Sequence, residues 1–371
     1  MKIILGFKVR GFILAAAFFG LGLGTGASAQ QASYLIDLNS KTVTHLGTLG
    51  GNFSVAYDIN DEGQVVGYSS TVEGAAHAFI TGPNGMGMRD LGTLGAPYDY
   101  NSIGWRVNEA GQVAGWSSTP ELDSHAFITS PGGRGMRPLG TLGGIHSFAT
   151  GINDAGQVVG VSGSHAFITG SDGMGMRSLG TLGGYYSVAR GINEAGQVVG
   201  ESSTGEFGDS HAFITGPDGM GMRDLGTLGG DSVARDINDA GQVVGESNFH
   251  AFITGPDGMG MKDLGALGGI FPFNSSEALG INDAGQVVGS SYTDEDRLFH
   301  AFVTGPDGEG MMDLNLLLDL PDGLVLSQAT GINDTGQVIA TAFIPEPDSY
   351  LVLLAGLGLV GFMARRKWRP A

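Results

Sequence analysis

Between residues 32 and 341 the chain alternates short apolar runs with turn-forming clusters, and no stretch carries the three-to-four-residue spacing of an amphipathic helix. Residues 187–192 and 197–201 flank Asn193-Glu194-Ala195-Gly196, in which the glycine supplies a left-handed backbone position. Residues 211–215 and 222–228 then flank Gly216-Pro217-Asp218-Gly219, where proline presets a turn φ and glycine accepts a positive one. The flanking runs favour Val, Ile and Phe, which pack well on a pleated surface. The pattern predicts two successive β-hairpins, four strands in all.

This unit repeats. Gly-Gln-Val begins at Gly63, Gly111, Gly156, Gly196, Gly241, Gly285 and Gly336, with spacings of 48, 45, 40, 45, 44 and 51 residues. His-Ala-Phe begins at His77, His125, His165, His211, His250 and His300. A period of about 40–45 residues with four strands is that of a propeller blade. Residues 32–51, with Tyr34-Leu35-Ile36 at the His-Ala-Phe register and Leu46-Gly47-Thr48-Leu49-Gly50-Gly51 at the end, read as a worn seventh copy of the second hairpin. The chain thus starts with the second hairpin type and ends, at residues 331–341, with the first. An N-terminal hairpin that completes the last blade would close a ring and remove both sheet edges. The expected fold is all-β, a seven-bladed β-propeller closed by the N-terminal hairpin, in preference to an open β-solenoid. The His-Ala-Phe and Ile-Asn-Asp-x-Gly-Gln-Val repeats resemble the bacterial extracellular HAF-repeat family across residues 32–341. That resemblance implies export and a repeat architecture, and no defined reaction. Val107-Asn108-Glu109 and Leu314-Asn315-Leu316-Leu317 depart from the pattern, the latter in the last blade.

The 67 glycines, with 13 prolines, would otherwise point to low complexity, but they occupy fixed turn positions and so belong to the architecture. The absence of cysteine excludes disulfides, thiolate zinc sites and cysteine nucleophiles. Lys2, Lys8 and Arg10, an apolar stretch over residues 11–23 and Ala27-Ser28-Ala29 form a signal peptide over residues 1–29, for removal by signal peptidase. At the other end, Pro345-Glu346-Pro347 precedes fifteen uncharged residues, 350–364, and the basic cluster Arg365, Arg366, Lys367 and Arg369. The expected apolar helix would rise about 22 Å, short of a hydrocarbon core of about 30 Å, with the basic cluster snorkelling to the cytoplasmic side. These three parts, residues 345–371, resemble the PEP-CTERM sorting signal. The resemblance implies transient inner-membrane insertion of a C-terminal transmembrane helix, processing by an exosortase-type membrane protease, and release at the surface of a Gram-negative-type bacterium. Seven of the 18 basic residues but only two of the 37 acidic ones lie in the two ends, leaving a net charge of −24 on residues 30–344. Phosphate backbones would be repelled, so nucleic-acid binding is disfavoured.

Candidate chemistry is sparse. One histidine per repeat cannot converge on a metal, whose ligands lie about 2 Å from one point, so these histidines are expected to hydrogen-bond a neighbouring turn. Asp236-Ile237-Asn238-Asp239-Ala240-Gly241 lacks the alternating oxygens and bidentate Glu of a calcium loop and reads as a plain turn. Calcium is left with loose binding by loop acids such as Asp294, Glu295 and Asp296, and no cofactor is expected. Asp123-Ser124-His125 and Asp209-Ser210-His211 put triad residue types side by side on a strand, where alternation prevents a relay. The Met220 and Met222 pair and its repeats read as turn-packing filler.

An enzyme made of repeats should break its pattern where the chemistry is, and the visible breaks are two loop sets. One, between Gly-Gln-Val-Val-Gly and His-Ala-Phe, is rich in Ser, Glu and Asp. The other carries Phe53, Tyr98, Tyr100, Trp105, Phe148, Tyr185, Tyr186, Phe271 and Phe273, rings that can stack on apolar sugar faces. The expectation is a non-enzymatic surface or matrix protein that binds or organises exopolysaccharide. The alternatives are a propeller-type polysaccharide lyase or glycosidase, marked by two carboxylates in a cleft, and a calcium-dependent adhesion protein.

Overall fold

Four-stranded antiparallel sheets follow one another along the chain, as the hairpin pattern dictates. The computed structural model describes residues 30–95, 101–121, 123–205, 208–269, 274–321 and 323–344. Six sheets take consecutive residues: 50–90, 102–138, 147–180, 187–226, 232–265 and 276–313. We number them blades one to six. Blade seven combines the C-terminal strands Val325–Ile332 and Gln337–Ile344 with the N-terminal strands Gln30–Asp37 and Thr42–His45. The protein is a seven-bladed β-propeller, closed by the N-terminal hairpin. Leu38 N donates to Gly336 O at 3.0 Å, and Asn39 Nδ2 to Thr335 O at 2.9 Å, pinning the clasp.

The clasp differs from expectation in register. Leu46 N donates to Ser33 O as Leu139 N donates to Ala126 O, and Tyr34 faces His45 as Phe127 faces Pro138. Ala32-Ser33-Tyr34 therefore occupies the His-Ala-Phe positions, two residues before Tyr34-Leu35-Ile36. The reason lies at the junction between blades. Elsewhere the serine that opens an inner strand, such as Ser147, accepts from Ala126 N and donates to Gly140 O of the preceding blade. At the clasp Ser33 supplies the hydroxyl instead, donating to Ser54 O and accepting from Ala56 N.

Core packing lies between blades. The phenylalanine of every His-Ala-Phe, from Phe79 to Phe302, is fully buried. Phe167 packs with Ala149, Ile152 and Val158 of its own blade against Ala114, Ala126 and Ile128 of the one before. Each such ring is worth roughly 3–5 kcal/mol against alanine. Gly156 adopts φ +72°, and a Cβ there would come within 2.9 Å of Asp172 N in the adjoining turn. Leu314–Leu317, the departure in the repeat pattern, forms a single helical turn capped by Asp313 that buries Leu314.

The Asn-Asp turn does more than reverse the chain. Asn60, Asn108, Asn153, Asn193, Asn238, Asn282 and Asn333 each donate through Nδ2 to the carbonyl of the next, at 2.9–3.2 Å, and Asn333 returns to Asn60 O. This circle of seven bonds ties every blade to the next at the axis.

Among the described residues no helix is long and apolar enough to cross a membrane. The expected signal peptide, Pro345-Glu346-Pro347, the tail helix and its basic cluster lie outside the described residues.

Candidate functional site

The first strand of each blade lines the central channel. Six residues repeat in it, Ser187-Val188-Ala189-Arg190-Gly191-Ile192 in blade four and Ser276-Glu277-Ala278-Leu279-Gly280-Ile281 in blade six. The first and last positions are uniform, Ser and Ile or Val, and the third is Ala or Gly. The fourth reads Tyr57, Trp105, Thr150, Arg190, Arg235, Leu279 and Thr330, and the fifth Asp58, Arg106, Gly151, Gly191, Asp236, Gly280 and Gly331. In all seven strands the register shifts here, as between Ala189 and Gly191, leaving the fourth residue as a β-bulge. A bulge re-aims side chains. It brings the fourth and fifth positions to the channel, where they are joined by Glu277 and Gln328 from the second position, which is Val, Ile or Phe in the other blades.

At the turn end, seven acids ring the channel mouth: Asp61, Glu109, Asp154, Glu194, Asp239, Asp283 and Asp334. Each accepts the backbone N–H of its counterpart in the preceding blade, at 2.8–3.0 Å. They border a cavity of about 300 Å³. Partial burial at the mouth, aided by the neighbouring acids and opposed by the backbone N–H each accepts, pushes Glu109, Glu194 and Asp334 above the usual carboxylate range.

Beneath the ring, Arg106 crosses the channel from blade two. It meets Asp58 of blade one at 3.2 Å and Asp236 of blade five at 3.4 Å. Burial pushes both carboxyls up against the pull of Arg106. Burial also works against the Arg106 cation, but the two carboxylates outweigh it and hold its pKa above the ordinary value.

On the other side of Arg106, toward the start of the inner strands, lies a second cavity of about 280 Å³. Trp105 lies against Tyr57 in its wall, ring centroids 4.0 Å apart and planes tilted by 30°, and Arg190, Arg235, Glu277 and Gln328 supply the polar lining. Arg190 pairs with Glu201 of its own blade. Glu277 accepts from Gln328 Nε2 at 2.8 Å and from Ser290 Oγ at 3.1 Å. Burial raises the Tyr57 phenol far above its ordinary value, so the hydroxyl stays protonated.

The two variable loop sets meet at this same end of the blades, bonded to each other as in Ser203 N to Tyr186 O at 3.1 Å. Of the aromatic candidates, Trp105 enters the cavity. Phe53 packs edge-on to Tyr68 and Phe148 to Trp116, each with centroids 5.7 Å apart, within their own blades. Tyr185 and Tyr186 stand out on a loop, 63% and 39% exposed. Tyr98, Tyr100, Phe271 and Phe273 lie outside the described residues. Sequence reasoning missed Tyr57, Arg106, Arg190, Arg235 and Glu277, although comparison of the seven inner strands position by position marks all five as the places where the repeat varies.

Four of the six repeat histidines hydrogen-bond a carboxylate and not the neighbouring turn directly, His300 reaching Asp313 and Asp296. His77, His211 and His250 pair through Nδ1 with Asp90, Asp224 and Asp263 at 2.8 Å, and those aspartates cap the following turn. Of the loop acids, Asp294 accepts from Gly269 N, and Asp296 is bonded to Thr293 and His300. The methionine pairs divide: Met220 is 64% exposed, while Met222 packs between blades.

Residues 343–367 match the PEP-CTERM protein-sorting motif. Comparison with curated proteins finds no match. Among solved structures the chain is similar to a puromycin-hydrolyzing peptidase of Mycobacterium tuberculosis, with a TM-score of 0.50 at 12% identity over 80% of this chain and 53% of that one. It is similar to a prolyl endopeptidase at 0.50 and 11%, over 88% and 50%. TolB from Acinetobacter baumannii follows at 0.45 and 11%, over 81% and 68%. The chain spans about half the length of the two peptidases, and the likeness is one of fold.

Proposed function

We propose that the propeller, whose sorting motif implies export, exosortase-type processing and delivery to the cell surface in a Gram-negative-type bacterium, is a non-enzymatic module that binds extracellular polysaccharide through the loop-bearing end of its channel. The observation that carries this reading is the variation of the inner strands at their channel-facing positions, which yields a cavity walled by Trp105 and Tyr57 and edged by Arg190, Arg235, Glu277 and Gln328. An aromatic wall with a few convergent polar groups is what a sugar site needs. Glu277 is the single carboxylate among the described residues lining that cavity, whereas glycoside hydrolysis takes two. The resemblance of the repeats to HAF-repeat proteins belongs to the same proposal.

The test uses purified residues 30–344 and co-sedimentation with the host's own insoluble exopolysaccharide. Saturable binding reduced at least tenfold by Trp105→Ala is expected. Binding that survives Trp105→Ala but is lost in Tyr185→Ala/Tyr186→Ala would move the site to the exposed loops. No binding by folded protein would overturn the reading.

A further inference from the structure

The loop-side cavity holds a guanidinium, Arg235, that faces two carboxylates without hydrogen-bonding either. Arg235 Nε is buried with no hydrogen-bond partner. The carboxylate oxygens of Glu246 and Glu277 stand 3.9 Å from its Nη2, beyond hydrogen-bonding distance. Burial first, then the charge of Arg190, hold Arg235 below the ordinary guanidinium value against the pull of Glu277, Glu246 and Glu201. Arg190 Nε is buried without a partner as well, but its Nη2 has Glu201 in contact. A guanidinium presents a planar fork of donors that fits a carboxylate with two parallel bonds.

Two further features restrict what can sit there. Arg106 crosses the channel between Asp58 and Asp236 and lines both cavities, so the loop-side one is blind and a chain cannot thread through. Its volume of about 280 Å³, just under the usual range for ligand sites, is on the scale of one terminal sugar. Trp105 offers that sugar a ring surface, and Gln328 and Thr150 offer hydroxyl partners.

We infer that this cavity takes the carboxylate-bearing terminal residue of an acidic polysaccharide, the carboxylate on Arg235 and the sugar ring against Trp105. The inference deepens the binding function proposed above and rests on it. It makes the protein a reader of chain ends, so the number of sites on a polymer scales with its ends and not with its mass.

The protein as exported by its host is titrated calorimetrically with methyl glucuronide and methyl galacturonide, with their uncharged methyl esters, and with an N-acetyl dipeptide acid. At least one uronide is expected to bind tenfold or more tightly than its ester, and Arg235→Gln to abolish that difference while its thermal melt shows a folded protein. Should Arg235→Gln not fold, the acid-against-ester comparison on the unaltered protein decides alone. Equal affinity for acid and ester overturns the inference, and tighter binding of the dipeptide acid overturns it in favour of a peptide C-terminus. If the polymer still co-sediments with Arg235→Gln as with the unaltered protein and no uronide competes, the end-binding assignment falls while the surface-binding function stands. If polymer and uronides both fail to bind, both readings fall.

Discussion

Replacing Asn193 with alanine removes one link from the axial circle, and the structure sets the cost. Its Oδ1 accepts from Gln197 N at 2.9 Å, and its Nδ2 donates to Gln197 Oε1 at 2.8 Å and to Asn238 O at 3.2 Å. Asn193 is 4% exposed. The Gln197 N–H would be left without its acceptor, at about 1–3 kcal/mol for a buried unsatisfied group. Asn238 O keeps its bond from Gly241 N, so its loss lies at the low end of that range. A total of about 2–4 kcal/mol follows, read as a lowered urea midpoint with unchanged slope. Glu194→Ala, one residue on, is the control. Its side chain is exposed at the channel mouth, the N–H it frees can be hydrated, and a charge leaves a crowded ring, so a change within about 0.5 kcal/mol is expected. Asn333→Ala, at the seam where the ends of the chain meet, should cost the same as Asn193→Ala because its bond to Asn60 O is equivalent. Asn193→Ala within about 0.5 kcal/mol of the unaltered protein, or Glu194→Ala costing as much, would refute the idea that the asparagine circle holds the blades together.

The acid ring gives a pH dependence of definite sign. The Glu194 pKa is raised in the folded protein, so between its ordinary value of 4.5 and the folded value the native state binds more protons than the unfolded one, and stability falls as pH rises through that window. Glu194→Gln keeps an acceptor and removes the charge, so it should raise the melting temperature at pH 7 and lose that advantage as pH falls toward 4.5; an equal shift at both pH values would sink the argument. Deleting residues 30–45 leaves blade seven as an open hairpin and should cause aggregation, measured by light scattering, where a soluble monomer would show that closure is dispensable.

The blade count and the clasp were legible because hairpin turns and a fixed period need only local chemistry, the Asn-Asp turn and the Pro-Asp-Gly turn. The clasp register was not. Tyr34-Leu35-Ile36 looks like the apolar end of a strand, and nothing in the sequence shows that Ser33 will serve as the hydroxyl between blades. The site was hidden for a different reason. Strict alternation along Ser-Val-Ala-Arg-Gly-Ile would send the fourth and fifth side chains to opposite faces, so Asp58, Arg106 and Asp236 read as facing away from Tyr57, Trp105 and Arg235. The bulge turns both positions to the channel, and a bulge depends on pairing with the next strand. Attention then goes to the loops, whose variation is easier to see than variation inside a strand.

The seventh blade draws its four strands from residues 30–45 and 325–344, the first and last described segments of the chain. Its closure therefore joins the longest sequence separation in the molecule and, by loop-closure entropy, comes late in folding. A ribosome that stalls before residue 325 releases six whole blades and an unmatched hairpin with exposed edges. The sorting motif match starts at residue 343, inside the final strand. A polypeptide that can hide its edges is thus one made through to its last described strand, the strand whose end overlaps the start of the sorting motif.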